Sequence, residues 1–149
     1  MTHIRKCKIE DVNALTDLFN AYRVFYNMNS DKASAEKFIS ERIKNQDSVI
    51  YVAENEKSQL TGFVQLYPIF SSTRMQRLWL LNDLFVDSSR RGKGISKKLI
   101  QQAKQLCVES GSCGMILETA KSNHIGNQLY PSTGFERDDN HNYYSWDLN

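Results

Sequence analysis

From Asn82 to Ser96 the chain reads Asn-Asp-Leu-Phe-Val-Asp-Ser-Ser-Arg-Arg-Gly-Lys-Gly-Ile-Ser. An apolar run of β character, Leu84-Phe85-Val86, ends in a polar turn, and Gly92 and Gly94 open directly into a periodic segment. Ile95, Leu99, Ala103 and Leu106 recur there at helical spacing, with Ile100 and Cys107 widening the same face. The first N–H groups of such a helix have no intrahelical acceptor and lie at the positive end of its dipole. Glycines let a ligand approach that backbone closely, and Arg91, Lys93, Lys97 and Lys98 add positive charge. The combination predicts a pyrophosphate cradle built on Arg91, Gly92, Lys93, Gly94, Ile95, Ser96 and Lys97.

Two common phosphate motifs are excluded by position. A P-loop needs glycine at position 87, which is Asp87, and Ser or Thr after Lys93, where Gly94 stands. The dinucleotide fingerprint needs glycine at position 97, which is Lys97. What remains, Arg91-x-x-Gly94-x-Ser96, resembles the arginine/glutamine-x-x-glycine-x-glycine/alanine signature of the GNAT acyltransferase superfamily, with Ser96 in place of the usual glycine or alanine. Downstream, Met115 to Ala120 reads as a strand, Asn123-x-x-Gly126-x-x-Leu129-Tyr130 as a helix, and Gly134-Phe135 as its closing turn. This series is similar to the strand, asparagine-led helix and glycine-phenylalanine turn of the same superfamily, and the resemblance covers almost the whole chain. The run from Leu81 to Val86 is most similar to members that acetylate small amines and polyamines, and to a yeast histone-acetylating member.

The resemblance implies acetyl transfer from acetyl-coenzyme A, as cosubstrate, to a primary amine by direct attack in a ternary complex. Such a reaction needs a grip on the donor, a neutral amine, a polarised carbonyl and a protonated leaving sulfur. The glycine turn supplies the grip, and the resemblance extends it to Leu84, Phe85, Val86, Asn123, Asn127 and Tyr130. It also implies that the central strand splays from its neighbour, so that a main-chain N–H near Phe85 or Val86 meets the carbonyl oxygen as an oxyanion hole does.

Tyr130 is the candidate acid, since a phenol near ~10 can protonate a thiolate whose conjugate acid lies near ~8.5. Its alternative is to pack against the core. Pro131 follows at once, which predicts a bend at Tyr130 because proline disfavours helical angles in the residue before it. Asp83 and Glu118 are the candidate bases. Amine-acetylating relatives carry an acidic pair at positions 82 and 83, whereas Asn82 is an amide without proton-accepting capacity near neutral pH. Strand alternation sends residues 82 and 83 to opposite faces, so Asp83 reaches the acceptor only if the strand bends or a water bridges the gap. The family's acceptor pocket makes Tyr22, Tyr26, Gln65, Tyr67 and Asn82 candidate lining residues, with Arg23 and Trp79 beside them; core or rim packing is the alternative for each.

The elements that must position these residues can be read from periodicity. Ile4–Ile9 is expected to be a strand, and Asp11 to cap a helix carrying Val12, Leu15, Leu18, Phe19, Tyr22, Phe25 and Tyr26. Ala35, Phe38, Ile39 and Ile43 mark a second helix, capped by Ser30 or Ser34. Residues 48–54 and 60–67 form a hairpin around Asn55-Glu56-Lys57-Ser58, with Pro68 closing its second strand and 69–76 a loop. Residues 77–86 are the central strand, and strands near 135–137 and 143–148 finish the chain. The order βααβββαβαββ is α+β with a mostly antiparallel sheet and one parallel crossover.

At 149 residues the chain is read as a single domain, 1–149, with 40% hydrophobic and 24% charged residues. A net charge of +2 gives no bulk attraction for nucleic acid. No apolar run is long enough for a bilayer, and no charged-then-apolar leader is seen. Cys7, Cys107 and Cys113 are odd in number and lack metal spacing, as do His3, His124 and His141. No metal and a reduced cytoplasmic setting are expected, and the resemblance implies a small-molecule amine partner. The resemblance adds a homodimer. The rivals are acetylation of a protein lysine or N-terminus, and a coenzyme A-binding sensor without catalysis.

Overall fold

The computed structural model describes residues 1–149, which divide into two compact units, Met1–Glu118 and Thr119–Asn149. In the first unit five strands pair in the order β1-β2-β3-β4-β5: β1 His3–Lys6, β2 Val49–Glu54, β3 Leu60–Ser71, β4 Gln76–Val86 and β5 Met115–Ile116. All neighbours are antiparallel except β4 and β5, which the helix α3 (Ile95–Glu109) joins as a parallel crossover. Helices α1 (Val12–Phe25) and α2 (Lys32–Asn45) connect β1 to β2. No helix is long and apolar enough to cross a membrane.

Period-two alternation in the strands sorts side chains to two faces. Ile50, Val52, Phe63 and Phe85 pack with Leu15, Leu18 and Phe19 of α1 and Ala35 and Ile39 of α2 in one buried cluster. Between Ile50 and Val52, Tyr51 faces the other way and hydrogen-bonds Gln102 of α3, whose Leu99, Ile100 and Ala103 are buried. Gly62 lets α3 and β4 close in at this point. A Cβ there would stand 2.8 Å from the Phe85 carbonyl oxygen and 3.4 Å from Leu99 Cδ1.

Several local expectations are corrected. The first strand is His3–Lys6, and Ile9–Asp11 is instead a 3-10 turn. Asp11 does not cap α1. Its carboxylate accepts the Lys8 N–H at 2.7 Å and a two-pronged bond from Arg5 (2.7 and 2.8 Å), which pulls it away from the helix start and well below the usual carboxylate range. The cap of α2 is Asp31, accepting the Ser34 N–H, while Ser30 accepts from Asn20 Nδ2. Pro68 does not close β3. It pairs with Trp79 inside a strand that continues to Ser71, leaving only 72–75 as the turn. Beyond Leu66 no β2 residue pairs with β3, and a strand open on one side tolerates a residue without an N–H.

The second unit contains α4, His124–Ser132, and no further strand. The two expected C-terminal strands are absent, so the observed order is βααβββαβα. Local bonds take the place of a ladder: Asp138 accepts from the Asn140 N–H and pairs with His141, and Arg137 pairs with Asp139. Tyr143, Tyr144, Trp146 and Leu148 are all exposed. Pro131 does not end the helix before it either. It sits in the last turn, where its missing N–H forfeits only the bond to the Asn127 carbonyl.

Candidate active site

The β4 strand contains the decisive irregularity. Gln65 lies opposite Asp83, and the next pair is Leu66 with Leu81, so Asn82 has no partner and forms a bulge. The strand bend that Asp83 required is therefore present. It leaves Asn82 exposed and turns Asp83 inward, 4% exposed. The Asp83 carboxylate accepts Gln65 Nε2 at 2.6 Å and Asn82 Nδ2 at 3.0 Å. Burial raises its pKa above the ordinary carboxylate value, against hydrogen bonds from Gln65, Tyr22 and Asn82 that favour the charge.

Aromatic rings flank this carboxylate. The Tyr22 hydroxyl also donates to the Asn82 carbonyl at 3.3 Å, and its ring meets Tyr26 edge-on at 5.0 Å and Phe85 at 6.2 Å. Tyr67 is half-buried, and its phenol is pushed up to about 12 by burial and by the Asp83 charge. Trp79 and Arg23 serve the fold: the indole Nε1–H donates to Ser110 Oγ at 2.8 Å, and Arg23 Nη1 donates to the Asn29 carbonyl at 3.0 Å. Gln65 is fully buried, with both ends of its amide bonded.

Beyond Leu80 no β5 residue pairs with β4, which is the splay the sequence resemblance implies. Alternation then distinguishes the two polarising candidates. The Asp87 N–H donates to the Thr61 carbonyl and the Phe85 carbonyl abuts Gly62, so residues 85 and 87 turn their polar groups to β3. Leu84 and Val86 present theirs to the uncovered side.

After β4, the Asp87 carboxylate accepts the Ser89 N–H and shapes the 3-10 turn Ser88–Arg90. Gly92 (φ 77°) and Gly94 (φ 74°) are left-handed, a conformation that disfavours any L side chain, and a Cβ at either meets nothing within 4 Å. Gly94 occupies the N-cap of α3 with no side chain bonded to the helix start, and buried Ile95 anchors that start to the core. The turn is thus an open concavity of main-chain N–H groups, flanked by exposed Lys93, Lys97 and Lys98 and half-exposed Ser96. Such a surface fits a pyrophosphate. Arg91, which precedes the two glycines, stacks its guanidinium over Phe25 (5.2 Å) and Phe85 (5.5 Å), and its Nε donates to the Val86 carbonyl at 3.2 Å.

In the second unit, Asn123 caps α4 by accepting the Gly126 N–H at 3.1 Å and donates to Thr119 Oγ1 at 2.9 Å. Asn127 Nδ2 braces the preceding loop through the Ala120 and Asn123 carbonyls. Tyr130 lies at the end of α4, where the Phe135 N–H bonds the Tyr130 carbonyl and the Gly134 N–H bonds that of Pro131. With Gly134 at φ 92°, this is a Schellman ending, and its hydrophobic contact is the edge-on pair Tyr130–Phe135 at 5.7 Å. The glycine-phenylalanine turn therefore fixes the ring of Tyr130. Glu118 lies outside β5 and is exposed. No group of three or more His, Cys, Asp or Glu is placed to hold a metal ion.

A sheet of this topology, opened beside a glycine turn that starts a helix, defines an acyl-coenzyme A-dependent transferase. Residues 13–135 match the model of the acetyltransferase (GNAT) family, and the chain belongs to that family. It is 42% identical over 136 residues to the N-acetyltransferase YhfO of Bacillus subtilis (strain 168), covering 91% of each chain. A probable acetyltransferase of Haemophilus influenzae is 29% identical over 126 residues, covering 85% of this chain and 84% of the other. The crystal structure of a probable acetyltransferase superposes with a TM-score of 0.93 at 35% identity, covering 99% of this chain and 98% of that one. The protein is an N-acetyltransferase, and its family takes the acetyl group from acetyl-coenzyme A.

Proposed function

We propose that the protein transfers an acetyl group from acetyl-coenzyme A to the primary amine of a small molecule or polyamine, in a ternary complex. The observation that carries this reading is the buried Asp83 carboxylate, aimed by the Asn82 bulge and flanked by Tyr22 and Tyr67. An alkylammonium has a pKa near ~10.4 and must lose a proton before it can attack. Asp83 accepts that proton, directly or through one water, with Glu118 as the fallback. The amine nitrogen then bonds to the thioester carbon, and charge on the carbonyl oxygen meets the Val86 N–H. The C–S bond breaks as the carbonyl re-forms, Tyr130 protonates the departing thiolate, and the attacking nitrogen gives up its second proton through water to the phenolate, leaving a neutral amide and a restored phenol. Arg91, by its stacking on Phe25, ties the end of α1 to the end of β4 beside the cradle, where its charge favours the pyrophosphate. A cytoplasmic setting and a homodimer belong to the same reading, supported by three free cysteines and by the family resemblance.

A screen of amines, amino acids and peptides, read by release of free thiol, tests the acceptor. Primary alkylamines or polyamines are expected to give the fastest turnover. Turnover confined to peptides would transfer the assignment to a protein amine, and binding of coenzyme A with no turnover at all would make the protein a sensor.

The cradle has its own test. A ligand present at about 100 times its Kd stabilises a protein by about 2.7 kcal/mol, so coenzyme A should raise the melting temperature by several degrees. Gly94→Asp places a carboxylate where the pyrophosphate charge would lie, in a conformation that also strains any side chain. The rise above the variant's own ligand-free melting temperature should vanish. An undiminished rise would move the pyrophosphate off this turn.

A further inference from the structure

Resting on the reading of Asp83 as the base, we infer that Ser48 and Gln65 are positioning residues that orient Asp83 and hold its charged form ready for the acceptor's proton. Ser48 lies in the turn between α2 and β2, one residue after Asp47, which Arg42 Nε holds at 2.8 Å. The Ser48 hydroxyl donates to Gln65 Oε1 at 2.8 Å. The same amide donates Nε2–H to Asp83 Oδ2 at 2.6 Å. An amide is nearly symmetrical in shape, so packing alone does not choose which end faces the carboxylate. The ionised carboxylate, which only accepts, takes the NH₂ end, and the Ser48 hydroxyl donates to the Oε1 left at the other end and so holds the amide in the orientation that favours the ionised acid.

Gln65 is 0% exposed, which removes it from contact with an acceptor and makes its bond to the carboxylate unscreened by water. No apolar requirement explains a glutamine there, since its neighbours along β3, Val64 and Leu66, are fully buried hydrophobic residues. The other groups around Asp83 are Tyr22 from α1, Asn82 from its own strand and Tyr67 from β3, with Arg42 and Asp47 acting on Tyr67 from beyond. Gln65 is itself held at its far end by a hydroxyl on a separate segment.

The test is the pH profile of kcat/KM for the acceptor in the full chain. Gln65→Leu removes the donor and should move the acidic limb about one pH unit or more toward higher pH, with the KM for acetyl-coenzyme A unchanged. Ser48→Ala should move it the same way by less, and Ser48→Thr, which keeps the hydroxyl, should restore it. Asp83→Asn is the control that separates this inference from the reading beneath it. If Asp83→Asn abolishes the limb while Ser48→Ala and Gln65→Leu leave it in place, the positioning role is wrong and the base stands. If Asp83→Asn leaves the limb at its wild-type position, instead of replacing it by the rise that follows the amine's own deprotonation, the base assignment is wrong and the positioning role goes with it. Should Gln65→Leu not fold, the Ser48 pair decides alone.

Discussion

Asp83→Asn is expected to lower kcat/KM for the acceptor by about 10²–10⁴-fold near pH 7, while leaving the affinity for acetyl-coenzyme A in place. The substituted amide keeps the shape of the carboxylate and can still accept from Gln65 Nε2, so the loss reports proton acceptance rather than collapse of the bulge. Without a base, only amine that is already neutral can react. Activity of the variant should therefore climb about tenfold per pH unit toward the amine's own pKa near ~10.4, and the deficit should close from the alkaline side. Wild-type activity for Asp83→Asn across this range, with Glu118→Gln crippled, would show that the carboxylate is the other one.

The same substitution has a stability signature of opposite sign. Burial raises the Asp83 pKa in the folded chain, so between the ordinary carboxylate value and that higher one the native state holds a proton the unfolded state has released. Stability consequently falls as pH rises through this window, because ionising the buried carboxylate is a net cost. Denaturant unfolding from about pH 4 to 8 should show the Asp83→Asn variant gaining on wild type as pH rises. Activity and stability would then move in opposite directions at one residue, as expected where a group is kept for chemistry.

What the sequence made legible was local. The glycine turn could be read because left-handed residues and a helical period of 3.6 are properties of neighbouring residues, and Gly92, Gly94 and α3 stand where those properties require. The hairpin of β2 and β3 could be read for the same reason. The Asn82 bulge could not, because it exists only in the register between β3 and β4, which residues 65–66 and 81–83 decide far from the turn at 72–75. Nor could the partners of polar side chains. Asp11 suited a helix cap until Arg5 claimed its carboxylate, and Gln65 suited a pocket wall until Ser48 and Asp83 closed on its two ends. Ser48 carried no signal at all, being one serine at the expected start of a strand that in fact begins at Val49. Strands are expected near 135–137 and 143–148, but a segment suited to pairing forms a strand only where a partner edge is available.

Tyr130→Phe is expected to reduce kcat by about 10²–10⁴-fold with coenzyme A binding nearly intact. The ring is oriented by its edge-on contact with Phe135 and by the Schellman ending that ties its carbonyl to the Phe135 N–H, and phenylalanine preserves both. The melting temperature should accordingly stay close to wild type. What is removed is a proton donor for a sulfur that otherwise leaves as a thiolate. Because a phenol near ~10 is a weaker acid than a thiol near ~8.5, full transfer to the free thiolate is uphill by about 2 kcal/mol, so the hydroxyl acts on the charge that develops as the C–S bond breaks and lowers the barrier to expulsion rather than strengthening ground-state binding. The deficit should therefore lie in kcat, with little change in the KM for acetyl-coenzyme A. Single-turnover measurement of thiol release separates this step from product departure. A phenylalanine variant with wild-type kcat and an intact fold would reduce Tyr130 to the packing partner of Phe135.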